Sequence, residues 1–251
     1  MSITNVLTVF LILAFFSLVF VSYINRRQLR NRLVSQKVVQ MKRRILDLEA
    51  QAAVIEPLLE NMRVVQIVYE EIIELAEKTS KLDSNRQHPG SNMTNAQTHI
   101  ERISSHPVQN NLWRIQQSDS SIAKAQYALN EAGRIVRRRH AAGFLEKNEM
   151  ETCIHDLAWA KLMVTTISMV AQGHQTLVNG NTLKAYAFYN KAQQILLQAN
   201  NADERKPRMI KEIGEIMSNR RKALSLDLMP ESDFNPGSGS PKLIPPETPE
   251  P

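Results

Sequence analysis

Residues 34–76, VSQKVVQMKRRILDLEAQAAVIEPLLENMRVVQIVYEEIIELA, place Val34, Val38, Met41, Ile45, Leu48, Ala52, Ile55, Leu59, Met62, Gln66, Tyr69, Ile73 and Ala76 at alternating steps of four and three. Twelve of these thirteen positions are apolar. A helix of 3.6 residues per turn lines them up on one side, and this decides for an all-α chain. The repeat amounts to roughly six heptads of a coiled-coil seam, paired either between two copies or with the chain's own helices. Pro57 lacks a backbone donor and its ring clashes with the preceding turn, so the rod is expected to kink or restart near Glu56-Pro57. Beyond it Leu58, Val65 and Ile72 widen the apolar face, as suits a helix packed on several neighbours.

Upstream, Ile3 to Ile24 form a run of 22 residues with no charge, Pro or Gly. As a helix this run is ~33 Å long, enough for a hydrocarbon core of ~30 Å. The uncharged start and the bulky Val19-Phe20-Val21-Ser22-Tyr23 do not suit a cleaved signal, so residues 1–25 are expected to be a single-pass transmembrane anchor.

All 25 acidic residues lie at or after Asp47, whereas eight of the 31 basic ones, Arg26, Arg27, Arg30, Arg32, Lys37, Lys42, Arg43 and Arg44, lie before it. The net charge of +6 and the pI near 9.5 therefore belong to one juxtamembrane segment. By the positive-inside rule this cluster sets the orientation: N-terminus outside, residues 25–251 in the cytoplasm, at the cytoplasmic (inner) membrane. The lipid bilayer is the expected partner of these eight side chains, each worth about 1 kcal/mol near anionic headgroups.

Downstream, residues 26–78 make the stalk and residues 79–117, rich in Ser, Asn, Gln, Thr and His, are expected to be a flexible polar linker. Residues 118–228 are expected to form a module of four helices joined as antiparallel hairpins, the first capped at Ser118 and ending near Gly143. The others run over 148–179, 181–199 and about 202–226. The tail, 229–251, holds seven of the eleven prolines and is expected to be disordered.

Within that module Gly173, Gly180, Ala185, Tyr189 and Ala192 have a spacing that resembles a tetratricopeptide repeat over about 34 residues. Small residues there let two antiparallel helices approach while Tyr189 fills the space beside them. Lys124-Ala125, Asn130, Ala132 and Ile135 echo Lys184-Ala185, Asn190, Ala192 and Ile195 sixty residues on. Both repeat-like hairpins and an unrelated bundle remain open. The resemblance implies a protein-binding surface around those five residues.

Signals of chemistry are few. There is no Gly-rich phosphate loop, no H-E-x-x-H and no G-x-S-x-G on a strand-turn-helix. The single Cys153 rules out an intramolecular disulfide and lies on an apolar stripe, while adjacent His155 and Asp156 diverge by ~100° per residue. No catalytic residue, cofactor site or metal site is assigned, and no enzyme activity is expected. Arg137-Arg138-Arg139 is a basic run of the cytoplasmic part. It suits a helix C-terminus as well as an anionic partner. The expected function is a membrane-anchored scaffold or adaptor, a homo-oligomer with unidentified partner proteins. The alternative is a membrane-held nucleic-acid or nucleoid tether, although nucleic acid is the less favoured partner because no aromatic residues interleave the basic ones.

Overall fold

The computed structural model describes residues 3–82, 91–105, 112–200 and 203–236, with side chains omitted for residues 3–14, 16, 18, 19, 91, 92 and 232. Among the described residues the chain is all-α: α1 (Ile3–Ile55), α2 (Arg63–Leu82), α3 (Ser91–Ser105), α4 (Asp119–Ala141), α5 (Lys147–Val178), α6 (Thr182–Gln198) and α7 (Arg205–Met217), with short 3₁₀ turns at Glu56–Leu58 and Ser232–Phe234.

The seam of residues 34–76 folds back on its own chain. The α1 helix ends at Ile55, Pro57 begins the 3₁₀ turn, and α2 returns along α1. Val38, Ile45, Leu48, Ala52, Ile55, Leu59 and Tyr69 are all buried. Residues 20–33 of α1, in contrast, are exposed on every side, so the helix extends beyond the body. No helix among the described residues is long and apolar enough to cross a membrane. Most side chains of the anchor expected at residues 1–25 lie outside the described residues.

Two apolar cores follow from this arrangement. The first gathers α1, α2, α3, α4 and the N-terminal half of α5, with Leu48, Ile55, Ile67, Ile72, Ile135 and Val164 at its centre. The second gathers the C-terminal half of α5 with α6, α7 and the strap after α7, around Met163, Ile167, Tyr189, Leu196, Met209 and Ile213. The α5 helix belongs to both. The stalk is thus not separate from the module: residues 38–72 supply much of the first core.

Local signals place most helix ends. Ser118 accepts from the Ser121 amide while the Ser121 hydroxyl receives the Ser118 amide, a reciprocal cap on α4. Gly180, at φ +80°, turns the chain from α5 into α6.

Three expectations need correction. Part of the polar linker is helical: α3 sets Ala96, Ile100 and Ile103 against the first core, and His99 stacks on Tyr69 with ring centroids 4.9 Å apart. The fourth module helix stops at Met217, and residues 218–229 continue as turns. The start of the proline-rich tail, as far as it is described, packs on the body: Glu231 and Asn235 supply buried hydrogen bonds. Residues 237–251 lie outside the described residues.

Candidate functional site

The five residues of the repeat-like pattern fasten α5 to α6. Ala185, Tyr189 and Ala192 are buried, and Gly173 lies directly under the Tyr189 ring. A Cβ on Gly173 would stand only 2.8 Å from Tyr189 Cδ1 and nearer still to Cε1. The Tyr189 hydroxyl meets His174 Nδ1 at 2.8 Å. Burial drives the imidazole's pKa down to about 4. As a partner surface the assignment is corrected: four of these side-chain positions are inside, because close helix approach is what small residues permit, and only Gly180 is exposed.

The basic residues divide in the same way. Arg138 donates to Glu71 at 2.7 Å, and Arg139, buried, reaches Glu70 at 3.0 Å and Glu74 at 3.3 Å. Both therefore clamp α4 to α2. Arg44 donates to Glu131 at 3.1 Å and joins α1 to α4. Arg26, Arg27, Arg30, Arg32, Lys37 and Arg43 remain exposed along α1, and Lys42 is half-buried. Arg137 is exposed, and its Nη1 lies beside Gly133, a position that Ile154 and Leu157 also border.

A polar junction ties the two cores together. Arg114, buried, donates through its amide and Nε to Glu231 Oε1 at 2.9 and 3.2 Å, and through Nη2 to Leu228 O at 2.9 Å. Nearby, Asn61 donates to Asp156 at 2.8 Å, and Arg205 bonds Asp203 and Glu60 while its guanidinium covers the Trp159 ring at 4.3 Å. The adjoining Arg205 keeps the Asp203 carboxyl below the usual carboxylate range. The charged groups are paired with one another, which marks the junction as structural, while the buried Trp159 Nε1 has no partner among the described residues.

An open site that combines apolar floor and polar rim is a groove of about 680 Å³ over the outer face of α5, between α4 and α6. Ala158, Leu162, Ile195 and Ala199 give it apolar walls; Gln126, His155, Lys161, Thr165 and Asn200 edge it. Gln126 donates to the Thr165 hydroxyl at 2.8 Å, and Lys161 to neutral Asn130 at 3.1 Å. No carboxylate lines the groove. It arises because α6 reaches α5 through Gly173 and Tyr189 while α4 packs on the neighbouring stripe through Leu157 and Val164, leaving the surface between them uncovered. The sequence pattern points to the packed stripe of α5. The uncovered one carries the mixed set His155, Ala158, Leu162 and Thr165, which has no chemical signature of its own.

Cys153 is buried in the first core, and burial pushes its thiol up to about 11, so it is protonated at neutral pH. His155 is exposed, with the Asp156 carboxylate 4.0 Å away. Among the described residues no group of three or more His, Cys, Asp or Glu is placed to hold a metal ion. His88 and His106 lie outside the described residues. Compared with known proteins, the chain matches no family model, no curated protein and no solved structure.

Proposed function

We propose that the chain is a membrane-anchored, cytoplasm-facing adaptor whose helical body binds partner proteins. The observation that carries the reading is the α4/α5/α6 groove, an apolar trough with a polar rim. The uncharged run of residues 3–24 and the basic cluster after it support an anchor with the N-terminus outside. Exposure of α1 through residues 20–33 agrees with a helix that leaves the body. The mechanism is tethering: confinement to the membrane surface raises the effective concentration of the body toward partners held there. Catalysis plays no part in it. A nucleic-acid tether is less favoured, because Arg138 and Arg139 are held by Glu70, Glu71 and Glu74.

The test compares the full chain with a variant lacking residues 2–25, which removes no member of either core among the described residues. The full chain should stay with membranes through an alkaline wash and crosslink in cells to specific proteins, and the variant should be released. An alkaline-soluble full chain removes the anchor, and crosslinks confined to nucleic acid remove the adaptor.

A further inference from the structure

We infer that the occupant of the α4/α5/α6 groove is an acidic segment of a partner protein that carries apolar side chains. The inference rests on the adaptor reading and specifies its partner. Three features of the groove select this chemistry.

The first is the floor. Leu162, Ile195 and Ala199 are apolar, and the exposed Ala158 is small, which leaves depth for a branched or aromatic side chain from outside. Burial of such a side chain removes apolar surface from water and so favours an occupant that carries one.

The second is the charge. Lys161 and His155 edge the groove without any carboxylate among its lining residues, and the amine of Lys161 is held only by the neutral Asn130 amide oxygen. Asn130 and Arg137 lie one and three turns on from Gln126 along the same face of α4, so the rim becomes more basic toward the end of that helix. Of the acids nearest in sequence, Asp156 accepts from Asn61, Asp203 is bound by Arg205, Glu131 is held by Arg44 and Arg134, and Glu151 lies 3.7 Å from Lys147, while Glu204 is exposed four residues beyond Asn200. A carboxylate-bearing segment would supply the missing counter-charge, whereas a basic one would meet Lys161 and Arg137 directly.

The third is the absence of Phe, Tyr and Trp from the described lining, which leaves a run of nucleobases without a stacking platform. With Lys161 as the one Lys or Arg among the described lining residues of an apolar trough, a polyphosphate backbone is also a poor match.

The experiment pans a random twelve-residue peptide library on the immobilised full chain in detergent. Two counter-selections are run, one on the Lys161→Glu/Arg137→Glu variant and one on Ala158→Trp, which fills the trough from an exposed position. The expected yield is peptides with two or more Asp or Glu beside Leu, Ile or Phe. Their affinity should fall about tenfold or more on either variant, a loss of about 1.4 kcal/mol. Replacing the peptide acids with Lys should restore binding to the charge-reversed variant. Circular dichroism verifies that both variants keep native helicity, and the neutral pair Lys161→Gln/Arg137→Gln serves if charge reversal unfolds the chain. Enrichment of basic or uncharged peptides, of peptides that ignore Ala158→Trp, or of none at all overturns the inference. Crosslinking in cells separates this failure from that of the adaptor reading: partners that persist in Ala158→Trp leave the adaptor standing and move its contact elsewhere, and a wild-type chain without protein partners ends both.

Discussion

The ring of Tyr189 occupies the space that a side chain on Gly173 would need, so the α5/α6 hairpin closes only with glycine at that position. Gly173→Ala should therefore cost about 1–3 kcal/mol through overpacking, although alanine is the better helix former. Chemical denaturation followed by circular dichroism checks this. Tyr189→Leu in the Gly173→Ala background should recover part of the loss by freeing the ring's volume; a Gly173→Ala variant as stable as the native chain would show that the helices separate without cost.

His174 makes stability depend on pH. Its ring is buried with Nε2 unpartnered among the described residues, and its pKa falls from the usual 6.5 to about 4. The folded state then binds fewer protons than the unfolded state between these values. The contribution is complete above about pH 6.5 and is lost progressively as the pH drops toward 4, by about 3 kcal/mol in all. His174→Gln should flatten that part of the stability curve relative to the native chain, measured by urea titration at several pH values.

The strap after α7 should be worth far more than its composition suggests. Glu231→Ala removes the hydrogen-bonded carboxylate of the buried Arg114 guanidinium and leaves it only the more distant Glu60 at 3.7 Å, a loss of about 3 kcal/mol. Removing residues 237–251 should leave the melting temperature unchanged, and removing residues 230–251 should lower it sharply. Equal melting temperatures for the two truncations would contradict the packed role of Glu231 and Asn235.

The three consecutive arginines should separate in a mutational scan. Arg139→Ala breaks bonds to Glu70 and Glu74 and should destabilise by about 2 kcal/mol. Arg137→Ala, at an exposed position, should change stability by no more than about 0.5 kcal/mol. Thermal melts of the two single variants make the comparison.

Orientation can be read from thiols. Cys153 is buried and its thiol is protonated, so the native chain should react slowly with an impermeant maleimide. Ser2→Cys should label from outside intact cells and Ser35→Cys only after permeabilisation. The reverse pattern would invert the proposed topology.

The seam, the break at Pro57, the Ser118 cap and the turn at Gly180 were all legible in the sequence, because each rests on local geometry: a helical repeat, a missing donor, a reciprocal cap and a positive φ. The α3 helix was not. Its apolar stripe is only Ala96, Ile100 and Ile103, and the Asn, Gln, Thr and His around it mimic a loop; tertiary packing on Tyr69 supplies what propensity lacks. The Arg114–Glu231 pair escaped notice because partners 117 residues apart leave no periodic trace. The small residues of α5 and α6 were legible as a close approach of helices, but the same smallness hides them from any partner. The groove is the negative image of two packed stripes and has no pattern of its own.

The unbroken backbone of α1 from Ile3 to Ile55 has one more consequence. A helix without a hinge conveys azimuth as well as height, since each residue advances the chain ~1.5 Å and turns it ~100°. The compass bearing of the body about the helix axis is thereby coupled to whatever grips the other end. One residue inserted among positions 25–33 would swing the groove by more than a quarter of a circle while leaving every contact inside the body untouched. Seven inserted residues would bring it back to nearly the same heading, ~10 Å farther along the helix.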